Sequence, residues 1–233
     1  MTTWICTSGD DIHDAANGET TLFGGAGNDD LLGTTSGDYI SGDEGNDTLY
    51  GWSGNDSIYG GTGNDLLFGN NENDLLAGES GNDTLVGGYN NDTLYGGAGD
   101  DLLYGDYDVA SGSDVLAGGS GNDFLLGGAD SDTYMFTFYS DGQDYIYDSS
   151  GSYDSLIISG VTNIGYLDFR RATYFGSSND PNDLVIRRAG DNALTEYVLI
   201  DDYWSGSAAG AGRIEYLNVN GTNHWFNDVT YNL

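Results

Sequence analysis

The sequence predicts an all-β fold, a right-handed parallel β-roll closed by a β-rich C-terminal cap. Two regularities predict it: an aspartate recurs every nine residues through Asp29–Asp101, and an aliphatic residue stands two positions after nearly every one. A third feature, the glycine-rich stretch ahead of each aspartate, supplies tight turns, because glycine adopts positive φ without steric penalty.

Taken in order, residues 1–23 read as an N-terminal cap in which TSGDDI at 7–12 is a degenerate first repeat. Residues 24–135 form the roll, with aspartates at Asp29, Asp38, Asp47, Asp56, Asp65, Asp74, Asp83, Asp92 and Asp101. A four-residue insertion around Asp106–Ala110 breaks the phase, which resumes at Asp114, Asp123 and Asp132. Units such as GGAGNDDLL at 24–32 and GGTGNDLLF at 60–68 place six turn-forming residues before a three-residue strand. The central residue of that strand points to one face and its neighbours to the other. The inward column is therefore Leu31, Ile40, Leu49, Ile58, Leu67, Leu76, Leu85, Leu94, Leu103, Leu116 and Leu125, with Tyr134 last.

Strands this short bury nothing alone, but a chain coiled so that alternate repeats stack gives two parallel sheets with the aliphatic column between them. One turn then takes two units, and the aspartates fall into two columns, one running from Asp29 through Asp47, Asp65 and Asp83 to Asp101, the other through Asp38, Asp56, Asp74 and Asp92. The outer, ninth-position residues beside the first column (Leu32, Tyr50, Phe68, Val86, Tyr104, Leu126) are more apolar than those beside the second. Either a cross-strand ladder or a docking stripe for another domain, a second copy or a surface accounts for them.

Charge decides what the columns hold. Thirty-eight acidic residues face five basic ones, for a net charge of −33, and no Lys or Arg occurs before Arg170. Such a balance disfavours nucleic acid and anionic lipid as partners. Carboxylates stacked about 4.8 Å apart repel by about 3 kcal/mol per step at an effective dielectric near 20, and whole domains are stable by only about 5–15 kcal/mol. Loop aspartates that merely made Asx turns would leave this repulsion uncompensated. A hard dication ligated by carboxylates and loop carbonyls reverses it, and an all-oxygen, flexible donor set favours Ca²⁺ over Mg²⁺ or Zn²⁺. The expected ligands are the twelve aspartates named above, with Gly25, Gly27, Gly45, Gly54, Gly61, Gly63, Gly81, Gly97, Gly99, Gly119 and Gly121 turning their carbonyls inward. The columns suggest about seven to twelve ions.

The unit follows the pattern G-G-x-G-x-D-x-U-x, with U a bulky aliphatic, and so resembles the calcium-binding nonapeptide of RTX proteins. Ser36, Glu72, Asn90 and Asp130 replace the fourth-position glycine, and Thr20 replaces an aspartate; weaker or absent sites are expected there. Downstream, residues 136–233 hold strand-like runs at 142–148, 154–159, 183–188, 197–200 and 213–219. This C-terminal segment resembles the haemolysin-type domain that follows RTX repeats, which implies a cap and an uncleaved C-terminal secretion signal.

Catalytic machinery is not evident. His13 and His224 are the only histidines, far apart in sequence, and no GxSxG, HExxH or Walker loop is present. Cys6 is the one cysteine, so no intrachain disulfide forms. No apolar run reaches membrane-spanning length, and residues 1–14 lack the basic-then-apolar pattern of a cleaved signal. The RTX resemblance implies a noncatalytic, secreted or cell-surface calcium-binding module that folds after bacterial type I export. An alternative resemblance is to the targeting modules of polysaccharide-active or other secreted enzymes of the alginate epimerase, protease or lipase type, with a polysaccharide or a fused protein as partner. An ice-binding solenoid fits less well, because the seventh positions (Asp30, Thr48, Leu66, Thr84, Leu102, Phe124) carry no regular threonine array.

Overall fold

A strand whose two outward residues flank one inward aliphatic can satisfy its backbone only by pairing on both edges, and the nine-residue unit returns the chain to do so every second repeat. The computed structural model describes residues 2–15, 19–107, 110–147, 154–162, 164–171, 184–189, 197–200 and 214–225. Its described strands form two eleven-stranded sheets between which the chain alternates, turn after turn. One sheet stacks Asp30–Leu32, Thr48–Ser53, Leu66–Asn71, Thr84–Gly88, Leu102–Asp106 and Phe124–Leu126; the other stacks Tyr39–Glu44, Ser57–Thr62, Leu75–Ser80, Thr93–Ala98, Val115–Ser120 and Thr133–Thr137. Every pairing among these strands is parallel. This is a parallel β-roll.

Register is fixed by the aliphatic column. Leu31 pairs with Leu49, Leu49 with Leu67, Leu67 with Leu85, Leu85 with Leu103 and Leu103 with Leu125. Across the core, Leu22, Ile40, Ile58, Leu76, Leu94, Leu116 and Tyr134 pair in the same way. All of these side chains are fully buried, in one continuous core. A slip of one residue would turn the whole column outward, so the core itself prevents it.

The parallel ladder runs on through residues 23/24 and 135/136, where composition changes. At the N-terminal end Thr2–Ile5 and Ile12–Asp14 add a further strand to each sheet, so that 7–12 is the loop of a real turn. The inward slots of that turn hold Trp4 and His13, whose rings stack at 4.3 Å and lie 2° from parallel. His13 is thus a packed ring. At the other end Gln143–Ile146 and Asp154–Ser159 continue the parallel stacking, as do Tyr197–Ile200 and Ile214–Val219 laid on them, and antiparallel strands then close the sheets: Leu184–Arg188 and Leu167–Arg171 beyond Tyr197–Ile200 in one, Thr222–Trp225 beyond Ile214–Val219 in the other. The strand-like runs of the C-terminal segment fall on these strands; Asp148, Asp183 and Arg213, at their ends, lie outside the described residues.

Aromatic rings pair across strands on the outer faces, one pair of them within the apolar stripe. Tyr50 stacks on Phe68 with centroids 4.9 Å apart, and Phe124 on Tyr145 at 5.0 Å. Phe23, Tyr39 and Tyr59 form a tilted series on the opposite sheet. Such cross-strand pairs add roughly 0.2–1 kcal/mol each.

Candidate metal centres

Each loop carries its aspartate at the sixth position, immediately before the strand, so the parallel register of the sheets also stacks the carboxylates. The backbone N–H of one aspartate donates to Oδ1 of the aspartate a full turn further on, from Asp29 to Asp47 at 2.7 Å, Asp47 to Asp65 at 2.8 Å and Asp65 to Asp83 at 2.8 Å. The second column repeats this from Asp38 to Asp56 at 2.7 Å and on through Asp74 and Asp92. Across the insertion the step lengthens from 18 to 22 residues, yet Asp92 still donates to Asp114 at 2.8 Å.

One oxygen of each carboxylate is thereby used. The other is not: Oδ2 of Asp29, Asp47, Asp56, Asp65, Asp74, Asp83, Asp92, Asp101, Asp114, Asp123 and Asp132 is buried and accepts no hydrogen bond. A buried oxyanion without a donor is strongly destabilising in a protein interior. Burial accordingly pushes these carboxyls upward, to about 6 for Asp47, Asp65, Asp83 and Asp123, about 7 for Asp74, Asp101 and Asp114, and about 8 for Asp56, Asp92 and Asp132. Neighbouring carboxylates add to the shift, while the N–H from the preceding turn opposes it.

Each unpartnered oxygen lies against the first glycine of its own loop and, in the loops from Asp29 to Asp114, also near a carbonyl of the next turn. A methyl group on Gly87 would sit 2.5 Å from Asp92 Oδ2 and 2.7 Å from the Gly105 carbonyl oxygen. Any side chain there would fill the space toward which the oxygens converge. The loop reaches this shape through left-handed backbone at its second and fourth positions, as at Gly61 (φ 113°) and Gly63 (φ 127°). Three of the expected departures keep it: Glu72, Asn90 and Asp130 stand at φ 70°, 74° and 71°, replacing glycine in conformation as well as in sequence. Asp43, Trp52, Asn70 and Glu79 do the same at second positions. These loops are not weakened in geometry.

Ser36 is the exception, since it is not left-handed and neither is Thr34 two residues earlier. In that loop Thr34 donates its N–H to Asp38 Oδ2 at 2.6 Å and its hydroxyl to the same oxygen at 3.0 Å. Thr7 treats Asp11 Oδ2 identically, with both contacts at 2.7 Å. The Asp38 carboxylate, one of the expected ligands, is thus satisfied by its own loop.

Several participants escaped sequence reading. Asp11 heads the first column, since its N–H donates to Asp29 Oδ1 at 2.8 Å; its spacing from Asp29 could have revealed it. Asp144 and Asp154 extend the two columns, accepting from Asp123 at 3.2 Å and Asp132 at 2.7 Å, but their 21- and 22-residue offsets hid them. Outside the aspartates runs a second ladder, in which the fifth-position side chains Asn28, Asn46, Asn64 and Asn82 each accept the N–H of the same position one turn on, at 2.7–3.0 Å. The recurring Asn before Asp was visible in the repeat.

The donor set is all oxygen. Among the described residues no three His, Cys, Asp or Glu side chains converge tightly enough to hold a metal by themselves, so any bound ion must draw on loop carbonyls as well. That mixture of carboxylate and carbonyl suits Ca²⁺ and gives zinc none of its preferred ligands. Stacked loops of this chemistry on a parallel solenoid define a cation-binding β-roll. The family described as the RTX calcium-binding nonapeptide repeat matches residues 7–36, 23–58, 32–67, 53–85, 77–106 and 109–136, more than half of the chain, and the chain belongs to it. It is a calcium-binding β-roll. No curated protein matches it. A similar solved structure is the extracellular lipase LipA from Serratia marcescens, 18% identical with a TM-score of 0.23; the match covers 75% of this chain and 37% of the lipase.

Proposed function

We propose that this chain is a secreted or cell-surface, noncatalytic module that folds on binding Ca²⁺ outside the cell. Asp29, Asp47, Asp56, Asp65, Asp74, Asp83, Asp92, Asp101, Asp114, Asp123 and Asp132 serve as side-chain ligands, and the loop glycines bring their carbonyls to the ions. The observation that carries this reading is the double row of buried Oδ2 atoms without a donor. Where calcium is scarce the columns repel and the chain stays expanded; where it is millimolar, binding supplies the folding free energy and makes export directional. Circular dichroism and size exclusion test this in EDTA, in rising CaCl₂ and in MgCl₂ at neutral pH. Collapse to a compact β form with a calcium midpoint of about 0.1–1 mM is expected, with little response to magnesium. A compact fold in EDTA at neutral pH would overturn it.

A second reading, a targeting module for neutral polysaccharide, is favoured by one feature. A groove of about 370 Å³ on the outside of the roll is lined by Tyr50, Phe68, Tyr89 and Tyr107 with Asn70 and Asn71, which join aromatic faces to side-chain amides. Its volume suits a small ligand. A glycan array on the calcium-loaded chain tests it, and absence of binding to every neutral glycan would end it.

A further inference from the structure

The insertion that interrupts the repeat brings in a carboxylate that the nonapeptide rule does not provide. Asp106 stands at the second position of the lengthened loop, in line with Gly88 one turn earlier and in contact with Gly128 one turn later. Gly88 and Gly128 are left-handed, at φ 121° and 112°, and Asp106 is not. Its backbone N–H donates to the Gly127 carbonyl at 3.0 Å, and its side chain reaches into the loop that ends at Asp132, where Oδ2 accepts the Ala129 N–H at 2.7 Å. Oδ1 is left buried without a hydrogen bond, on a residue only 8% exposed. Beside it Gly105 lies against Asp114 Oδ2, also buried and unpartnered. The lengthened loop rejoins the ladder at once, with the Asn90 N–H donating to the Ser111 carbonyl at 3.1 Å and the Ser113 N–H to Asn91 at 2.8 Å.

From this placement we infer that the step between residues 105–107 and 110–114 on one turn and the loop 127–132 on the next holds a calcium site unlike those of the regular repeats, with Asp106 Oδ1 as an additional side-chain ligand beside Asp114 and carbonyls of those described residues. The inference rests on the calcium reading of the roll. It adds that the insertion builds a site rather than deleting one. An extra carboxylate raises affinity, because ligand charge count tunes calcium binding.

Equilibrium dialysis against ⁴⁵Ca²⁺ on the full chain, with circular dichroism at saturating calcium, tests it. Asp106→Asn keeps the side-chain shape and an oxygen for the Ala129 N–H while removing the charge. This variant is expected to remain folded and to bind one ion fewer than the unaltered chain. Asp130→Asn, which removes an exposed carboxylate from the adjoining loop, is expected to retain the full number. If Asp106→Asn binds as many ions as the unaltered chain, or if Asp130→Asn loses one as well, the site is overturned. Failure of the calcium reading itself would look different, since the unaltered chain would then bind no ions.

Discussion

Two kinds of loop occur on one scaffold. In the loop ending at Asp92 the second and fourth positions, Gly88 and Asn90, are left-handed, and Asp92 Oδ2 is buried without a donor. In the loop ending at Asp38 those positions are Thr34 and Ser36 in ordinary backbone, and Thr34 supplies the carboxylate with both its N–H and its hydroxyl. Thr137 likewise donates its N–H to Asp141 near the C-terminal end of the roll. The strand register and the aspartate are common to both kinds, so neither distinguishes an open loop from a capped one. Among the nine-residue loops the backbone at the second position does, by withdrawing or offering a local donor; the lengthened loop departs from this, since Asp106 is not left-handed and Asp114 Oδ2 is still unpartnered.

The largest expected consequence is a difference in pH response. Apart from Asp29, which is raised as well, the open-loop carboxyls have folded values of about 6–8, raised first of all by burial, from an ordinary value near 3.8. A raised folded value contributes stability that is complete below the unfolded value and is lost as pH rises through the folded one. With calcium chelated, the roll should therefore be compact near pH 4 and expand between about pH 6 and 8. The Thr7-capped Asp11 is shifted the other way, lowered by its side-chain and backbone hydrogen bonds, so its smaller contribution is present above 3.8 and lost as pH falls through its folded value. Circular dichroism against pH in EDTA should show the rising-pH transition; a roll that instead unfolds only on acidification would contradict the assignment of open loops.

Next in size is a contrast between aspartates. Asp92→Ala removes a proposed ligand and leaves the Asp74 N–H buried without its acceptor, which alone costs about 1–3 kcal/mol. Denaturant titration in calcium should show at least that loss together with one ion fewer. Asp38→Ala should lower stability by about 1 kcal/mol through the Thr34 contacts and leave the ion count unchanged. Equal ion loss in both variants would erase the distinction between the loop types.

How much of this was legible beforehand follows from what depends on periodicity. Two sheets, the inward Leu and Ile column and the paired aspartate columns all follow from the nine-residue period and the alternation of strand faces, and all are present. The Asp38 carboxylate looked like the other expected ligands because residue type at the sixth position was the same; what separated it was the backbone at Thr34, which periodicity does not report. Asp144 and Asp154 were missed because pairing in space tolerates offsets of 21 and 22 residues that a fixed period does not. Glu72 and Asn90 hid their likeness to the regular loops, since neither is glycine and both take the glycine conformation.

A conversion sharpens the comparison further. Thr34→Gly combined with Ser36→Gly gives the Asp38 loop the left-handed positions of its neighbours and removes the Thr34 hydroxyl. The double variant is expected to bind one additional calcium, read by dialysis, and to lose a modest amount of stability in low calcium. An unchanged ion count would mean that some feature beyond the second and fourth positions sets loop type.

The smallest effect separates the scaffold from the sites. Asn64 Oδ1 accepts the Asn82 N–H at 2.8 Å, and the Asn64 N–H donates to Asn46 Oδ1 at 2.7 Å, on the exposed side of the loops. Asn64→Ala leaves the second bond, which uses its backbone, and breaks the first. Because the freed N–H is exposed and water can replace the lost acceptor, the loss should be about 0.5–1 kcal/mol, with the calcium stoichiometry intact. If Asn64→Ala instead released an ion, the outer ladder would be holding the loop carbonyls in place, and the division between a stacking scaffold and the ligands it carries would have to be redrawn at the fifth position.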